Sequence, residues 1–263
     1  MKTIGSIKNL YRYPVKSMRG EQLASAFVAY SGIYGDRVYA FQNPQAPAFF
    51  PYFTGRDKQQ MLLYTPRFRD PETLLQPKAW TEAQSISIGI TPVFASAQEL
   101  GVDVETPQGD VYAIDDPRLA ALLGKDSDTA AELSLMSSSR ALTDGRPISL
   151  ISNQTVKQLS EEIDTPVDER CFRANIYIDL EDARGFAEDE LVGRTLKLGE
   201  RVEIALVERD PRCMMITIDP DTGETDPTLL KQVTKAHNRQ AGVYAAVLVE
   251  GVIKPGDPVL LID

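Results

Sequence analysis

Glycine and proline recur along the whole chain and divide it into short apolar runs. The 263 residues include 17 Gly and 17 Pro. Short apolar runs bounded by turn-forming residues are typical of β-rich proteins. In one run, Val202, Ile204 and Leu206 alternate with Glu203 and Ala205, as in a strand with one buried face. Strands are therefore predicted over residues 4–13, 23–29, 38–43, 85–90, 102–106, 110–114, 171–178, 202–207 and 242–249, with a last one within 251–262.

Helices are predicted to be few and short. Residues 116–123, 154–162 and 227–233 are the candidates, and Asn153 is expected to cap the second helix. The stretch 124–142 is rich in Ser, Asp and Ala and has little period, so it is either a linker or a mobile loop. The main boundary is placed near it, between a part at 1–120 and a part at 125–263. The predicted fold class is α+β, mainly β.

Charge and composition exclude several classes of protein. The net charge is -10, which disfavours nucleic acid or an anionic membrane as the main partner. A membrane span is not expected, since no stretch approaches the roughly 20 apolar residues that a spanning helix needs. Two cysteines, Cys171 and Cys213, are too few for a secreted disulfide framework, although one bridge between them remains open. We expect a reduced, cytoplasmic protein.

Two N-terminal segments could bind an anion. Residues 13–20 place Lys16 and Ser17 just after a predicted strand and before a glycine, where ammonium, hydroxyl and backbone N–H groups suit a phosphate. A solvated loop is the alternative. In residues 35–37 a Gly-Asp turn precedes Arg37, which is either a fixed guanidinium for a ligand or a surface ion-pair partner.

The segment 170–178 combines an apolar and a polar pattern. Read as a strand, it turns Ala174 to one face and Cys171, Arg173 and Asn175 to the other. Arginine's rigid fork suits phosphate, and Asn offers a donor and an acceptor together. The polar face is therefore either a ligand cradle or an exposed surface.

The segment 212–223 contains the residue predicted to be the chemical centre, Cys213. Read as a strand, it places Cys213 and Asp219 on one face before a strong turn signal at 219–223. Nearby cations, Arg209 and Arg212, favour a thiolate, and a thiolate is a soft ligand for redox metals. A buried structural cysteine is the alternative. The lone His237 lacks zinc-type spacing from either cysteine, so a structural zinc site is not expected.

These clusters together resemble the MOSC superfamily, the domain named after the C-terminal part of molybdenum cofactor sulfurase. More closely, they are similar to the mitochondrial amidoxime-reducing component and its bacterial relatives. The resemblance covers nearly the whole chain, through segments 13–17, 35–37, 146–152, 172–176, 212–223 and 251–259. It implies a β-barrel MOSC domain at 125–263, packed with a MOSC N-terminal β-barrel domain at 1–120 across a shared cleft.

The resemblance also implies a cofactor and its binding residues. Molybdenum bound to molybdopterin would be held by the Cys213 thiolate, with Asp219 as an active-site carboxylate. The implied phosphate and ring contacts are Lys16, Ser17, Arg37, Arg173 and Asn175, with Ser152 and Thr155 as further contacts. The chain departs from the family pattern at Ala174, where proline is usual, and at 214–218, where a more Thr-rich run is usual. Because of the second departure, a hydroxyl near the metal is in doubt. The range of substrates is in doubt for the same reason.

The activity implied by the resemblance is removal of oxygen from a small N-hydroxylated substrate. With only two cysteines in the chain, electrons are expected to come from a separate ferredoxin-, flavoprotein- or cytochrome-type protein. Two alternatives remain open. The same thiolate could carry sulfur as a Cys213 persulfide, or the protein could bind and deliver the cofactor without catalysis.

Overall fold

The chain folds mainly into β-strands, and the computed structural model describes residues 1–75, 77, 80, 95, 97, 99–125 and 133–262. This confirms the predicted fold class. The strands of the described residues are β1 Lys2–Arg12, β2 Glu21–Gln22, β3 Ala26–Ala29, β4 Gly32–Ile33, β5 Tyr39–Gln42, β6 Tyr52–Phe53, β7 Thr65–Phe68, β8 Val102–Glu105, β9 Val111–Ala113, β10 Ser134–Ser137, β11 Ile148–Ser152, β12 Ile176–Leu180, β13 Thr195–Leu198, β14 Val202–Pro211, β15 Gln240–Val249, β16 Gly251–Ile253 and β17 Pro258–Ile262.

Seven of these strands close into a barrel. Their order is β12-β11-β15-β14-β13-β17-β1, β1 pairs back onto β12, and β2 extends the sheet beyond β1. The β11–β12 pair is parallel, and the other barrel pairs are antiparallel. Aliphatic side chains that alternate along the strands fill the interior, including Ile7, Leu10, Leu150, Ile176, Leu196, Ile204, Val243 and Val259. Closure leaves these seven strands without a free edge.

Strands from the N-terminal half of the chain pair with strands from the C-terminal half. Strand β1 lies in the barrel between β12 and β17, β3 pairs with β16, and β10 pairs with β5. Three smaller sheets, β10-β5-β6, β16-β3-β4 and β7-β8-β9, complete the strand pairing of the described residues. The predicted division at 1–120 and 125–263 stays a prediction. The pairing nevertheless shows that β1 ties the chain's start to its end.

The three predicted helices are confirmed. They are α1 Pro117–Gly124, α2 Asn153–Glu162 and α3 Thr228–Ala236. Asp116 caps α1 through the backbone N–H of Arg118. The cap of α2 is Ser152, not Asn153 as predicted, because the Ser152 hydroxyl accepts the Thr155 N–H at 3.1 Å. None of the helices in the described residues is long and apolar enough to cross a membrane.

The other predicted strands correspond to observed ones, with shifted ends. The predicted strand at 85–90 lies outside the described residues. The stretch 124–142, predicted as a linker or loop, contributes strand β10, which pairs with β5 in register from Ser134 opposite Gln42 to Ser137 opposite Tyr39. Two predicted strands, at 171–178 and around Cys213, are wrong in part, and both errors fall at the site described next.

Candidate functional site

A cleft with about 720 Å³ of empty space, counting the part that is open to solvent, is lined from both halves of the chain. Its walls come from the loops after β1 and β6, from the segments before β5, β11 and β12, from the end of β14 and from the middle of β15. Six cationic side chains line it against two carboxylates: Lys16, Arg37, Arg56, Arg146, Arg173 and Arg212 against Asp144 and Asp210. The cleft is therefore a local positive region in a chain whose net charge is -10.

Cys213 lies on the wall of this cleft, immediately after β14. The residue is extended and stands at the start of a 3-10 helix, Met214–Thr217, rather than inside a strand. The turn is closed locally, because the Thr217 hydroxyl donates to the Met214 carbonyl at 2.7 Å. The predicted strand is therefore wrong here. The thiol is half-buried and free, and it faces the cleft.

Asp219 does not lie beside Cys213, so the predicted shared strand face is wrong. The helical turn rotates the chain between the two residues and ends the alternation on which the prediction depended. The Asp219 carboxylate accepts the backbone N–H groups of Asp221 and Thr222 at 2.9 and 2.8 Å. Asp219 is exposed and does not line the cleft. Its contacts explain it as a turn-stabilising residue.

Arg56 contacts the Cys213 thiol directly. Its Nη2 donates to Cys213 Sγ at 3.2 Å and to Asp144 Oδ2 at 2.6 Å. Burial opposes ionisation of Asp144, but Lys16 and Arg56 outweigh it, so the pKa of this carboxyl lies below its usual value. Sequence reasoning missed both Arg56 and Asp144. Each follows or precedes a glycine in a loop, which is a common surface pattern and marks no site by itself.

Lys16 and Ser17, the predicted phosphate-binding residues of the loop after β1, both line the cleft. Lys16 is buried, its ammonium donates to Asp144 and to the Leu142 carbonyl, and it lies 4.5 Å from the ring centre of Tyr52. Burial lowers the pKa of Lys16 to about 8, against the opposing effect of Asp144. Ser17 adopts a left-handed backbone conformation with φ of 65°. The pair is thus a fixed feature of the fold and not a solvated loop.

Arg37 and Arg173 meet over one tyrosine. Their guanidinium carbons lie 4.6 and 4.3 Å from the centre of the Tyr13 ring, and Arg37 Nη2 donates to the Arg173 carbonyl at 3.0 Å. Arg173 Nη2 donates to the Met18 carbonyl at 2.8 Å. Removal from water lowers the pKa of Arg173 to about 10. Both residues have left-handed backbones, with φ of 47° and 53°.

The predicted strand at 171–178 begins only at Ile176. Residues Glu169–Phe172 form a 3-10 helix capped by Asp168, and Arg173 ends it in the left-handed region. Arg173 and Asn175 therefore reach the cleft from a turn and not from alternating strand positions. Asn175 Oδ1 accepts the Ser149 N–H at 3.2 Å, so the amide also fixes the segment against β11.

Ser152 and Thr155 lie outside the cleft. Both are fully buried, and both hydroxyls bond the carboxylate of Glu188, Ser152 Oγ to Oε2 at 2.7 Å and Thr155 Oγ1 to Oε1 at 2.7 Å. Glu188 is itself fully buried. The three residues form a satisfied polar cluster at the start of α2. The structure does not bring the predicted Ser152 and Thr155 contacts to the other candidate residues.

The side chains that line the cleft fit a metal whose ligands come mostly from a bound chelate and not from the protein. Among the described residues, no group of three or more His, Cys, Asp or Glu side chains could enclose a metal ion. Cys213 offers one soft thiolate position. Arg212 Nη2 lies 2.9 Å from Asp210 Oδ2, yet it is buried and makes no hydrogen bond within the described part of the chain. A single thiol, a ring of cations and a buried guanidinium whose Nη2 makes no well-aligned hydrogen bond suit an anionic chelate.

The chain belongs to the MOSC-domain proteins that carry a MOSC N-terminal beta barrel domain. Residues 4–123 match the family of that N-terminal barrel, and residues 137–260 match the MOSC domain. Mitochondrial amidoxime-reducing component 1 of Mus musculus is 24% identical over 296 residues, which cover 100% of this chain and 84% of that protein.

Two further relatives cover different shares of the chain. Molybdenum cofactor sulfurase of Caenorhabditis briggsae is 33% identical over 115 residues, 42% of this chain and only 15% of the sulfurase. The crystal structure of the YUAD protein from Bacillus subtilis aligns with a TM-score of 0.48 and 13% identity, covering 98% of this chain and 96% of that one.

Proposed function

We propose that this protein is a molybdenum-cofactor-binding oxidoreductase that reduces N-hydroxylated or related N-oxygenated compounds, with Cys213 as the metal ligand. The observation that supports this most directly is the thiol of Cys213 facing a cleft lined by six cationic side chains. The names of the relatives, an amidoxime-reducing component and a molybdenum cofactor sulfurase, agree with it. The cytoplasmic location stays a prediction.

The residues of the cleft have distinct roles in this proposal. Lys16, Arg37 and Arg173 bind the cofactor's phosphate, since Arg forks and a buried ammonium make strong charge-assisted hydrogen bonds. Asn175, held by its bond to Ser149, fixes the register of the cofactor ring. The bound cofactor supplies the two-electron redox chemistry, and the chain supplies binding, orientation and charge.

Electrons are proposed to come from a separate protein of the ferredoxin, flavoprotein or cytochrome type. The sequence supports this because its two cysteines are fewer than the four that an iron–sulfur cluster takes. Substrate and electron donor would then approach one cleft. Cys171, which also lines it, is less suited to ligation, since burial and the neighbouring carboxylate of Asp168 raise the pKa of its thiol to about 12.

The test is elemental analysis of protein made in a cofactor-competent host, with Cys213→Ser as the variant and Cys171→Ser as its matched control. We expect near-stoichiometric molybdenum and amidoxime reduction with a strong artificial reductant in the wild type and in Cys171→Ser. Cys213→Ser should lose both. Activity and molybdenum retained in Cys213→Ser would refute the ligand assignment.

The same measurements separate the two alternatives. A sulfur carrier would show labile sulfur on Cys213 and no stoichiometric molybdenum. A delivery protein would contain the cofactor and yet reduce no N-hydroxylated compound, even with excess artificial reductant. Either result would replace the proposed activity.

A further inference from the structure

A buried carboxyl group faces the cleft and has no part in the binding roles described above. Asp210 is 2% exposed and lines the cleft three residues before Cys213. Ser149 Oγ donates to its Oδ2 at 2.7 Å, and the hydroxyl of Tyr244 is a second donor to the carboxyl. Ser149 and Tyr244 also line the cleft. A protonatable group and two hydroxyls therefore share one wall of the cleft.

Irregular pairing between β14 and β15 places Asp210 in the wall of the cleft. The register of β14 against β15 shifts between Leu206 and Glu208 and again between Arg209 and Pro211. Such bulges redirect side chains and are frequent next to active sites. Here Glu208 and Arg209 are exposed while Asp210 between the shifts is buried. The end of β14 is thus shaped to turn one carboxyl group into the cleft.

The charged and polar groups around Asp210 come from every element packed against it. They are Ser149 on β11, Tyr244 on β15, Arg212 beyond the end of β14, and Arg37 from the turn before β5. Burial disfavours the charged form of Asp210. The arginines and the hydrogen bonds favour that form, but they offset the effect of burial only in part. The pKa of Asp210 is therefore raised above its usual value.

Asp144, the other carboxylate of the cleft, has the opposite environment. Lys16 and Arg56 both form ion pairs with it and hold its pKa below the usual value. Asp144 therefore stays ionised and serves as an anchor for two cations. Active sites often contain two carboxyl groups whose environments move their pKa values in opposite directions. One group then acts as an acid, and the other stays ionised and stabilises charge.

We propose that Asp210, with the hydroxyls of Tyr244 and Ser149, delivers protons to the substrate in the cleft. This inference rests on the proposed function. Reduction of R₂N–OH takes two electrons from the separate donor protein and two protons. The N–O bond breaks, one proton joins the departing hydroxyl to form water, and the other forms the new N–H bond. Asp210 gives the first proton to the departing oxygen and is reprotonated by the Tyr244 hydroxyl, which regains its proton from solvent in the open cleft. The reprotonated Asp210 then gives the second proton to the nitrogen.

The test compares Asp210→Asn, which keeps the shape but cannot donate from a carboxyl, with Asp210→Glu and Tyr244→Phe. Glu203→Gln, a partly exposed position on the same strand that does not line the cleft, is the matched control. Molybdenum content is measured first, and kcat for a model amidoxime is then followed with excess reductant at pH values below about 8, where Lys16 keeps its proton. Infrared spectra of the apoprotein follow the carboxyl groups without any cofactor.

We expect Asp210→Asn to retain molybdenum and to lose kcat by on the order of 10²-fold. In the wild type, kcat should fall with rising pH as Asp210 loses its proton. This pH dependence should be absent from Asp210→Asn, and Asp210→Glu should recover part of the rate. Infrared intensity from protonated carboxyl groups that titrate above ordinary carboxyls should be lower in Asp210→Asn than in Glu203→Gln, and Asp189, whose pKa burial also raises, contributes equally to both.

Unchanged kcat and pH dependence in Asp210→Asn would overturn the proton-delivery role while leaving the proposed function intact. Loss of molybdenum in that variant would also overturn it, because Asp210 would then act in cofactor binding. A wild type that binds molybdenum but reduces nothing would overturn the proposed function, and this inference with it.

Discussion

The guanidinium of Arg56 lies 3.2 Å from the sulfur of Cys213, although 157 residues separate them in the chain. The same Nη2 atom also bonds Asp144 at 2.6 Å, and the guanidinium carbon lies 4.8 Å from the ring centre of Phe50. Arg56 is therefore held on three sides. In the proposed function, a cation fixed in this way would orient the Cys213 sulfur and balance its charge when it ligates the metal, as the outer-shell partners of metal ligands do.

Removing this contact should weaken metal retention. In Arg56→Ala, we expect molybdenum affinity to fall by about 10- to 100-fold, the range found for outer-shell partners. Arg56→Lys should recover only part of it, because an ammonium keeps the charge but loses the planar guanidinium that lies over the Phe50 ring. Molybdenum is measured after exhaustive dialysis against a chelator.

Arg118→Ala provides the control for loss of one positive charge, since Arg118 is exposed, pairs with Asp116, lies over the Tyr112 ring and does not line the cleft. Equal molybdenum in Arg56→Ala and Arg118→Ala would show that the thiol contact has no role in retention.

Anion binding should weaken as the pH rises through the pKa of Lys16, which burial lowers to about 8. A bound anion favours the charged ammonium, so Lys16 contributes fully below that pKa and its contribution is lost above it. Between one pH unit below and one above, the affinity of the apoprotein for sulfate should fall about tenfold. Calorimetric titration with sulfate is suitable because this anion does not itself titrate in that range.

Lys16→Met should bind sulfate weakly at every pH, and Lys16→Arg should bind it without this pH dependence. A wild-type affinity that stays constant across the same range would mean that Lys16 does not contact the anion.

The strands and helices could be predicted from local sequence and the barrel from the family resemblance, but the Cys213 cleft only in part. Alternation in β14 and the Gly and Pro punctuation reflect one-sided burial and turns, which are local properties. The pairing of Arg56 with Asp144 joins positions 88 residues apart, and no local pattern encodes it. The family motifs brought Lys16, Arg37 and Arg173 together, because motifs carry tertiary information that periodicity lacks.

The strand predictions are wrong where the backbone stops placing successive side chains on alternate faces. At Arg173 a non-glycine residue adopts a left-handed φ of 53°, and after Cys213 a 3-10 turn interrupts the chain. Both conformations cost free energy locally, so tertiary contacts must stabilise them. Arg173 has such contacts in the Tyr13 ring and the Met18 carbonyl. Residue type alone does not reveal such positions.

Thr155 should prove to be a structural residue, in contrast to the prediction that it binds the cofactor. Thr155→Val removes a hydroxyl that bonds the buried carboxylate of Glu188 at 2.7 Å. Leaving this acceptor undersatisfied should lower the free energy of unfolding by about 1–3 kcal/mol. Molybdenum content per folded protein should not change.

Lys157→Ala, on the exposed side of the same helix, should change stability by less than about 0.5 kcal/mol. Denaturant unfolding measures both variants. A Thr155→Val protein of normal stability that has lost molybdenum would restore the cofactor-binding assignment.

Gly242 on β15 should be required for the position of Arg212. Its φ is +78°, and a Cβ placed there would lie 2.7 Å from the Leu150 carbonyl oxygen and 3.1 Å from Arg212 Nη2. Gly242→Ala combines a strained backbone with crowding of a guanidinium that lines the cleft. We expect it to lower the free energy of unfolding by more than the roughly 1–2 kcal/mol that a left-handed backbone alone costs an alanine, and to reduce molybdenum retention.

Gly256→Ala separates the two effects. Gly256 has a similar φ of +89°, but within the described structure nothing lies within 4 Å of a Cβ added there. This control variant should lose about 1–2 kcal/mol from the left-handed backbone alone and keep its molybdenum. The difference between the two variants then measures the crowding at Arg212. Equal stability and equal molybdenum in both would show that the close approach of Gly242 does not position Arg212 in the cleft.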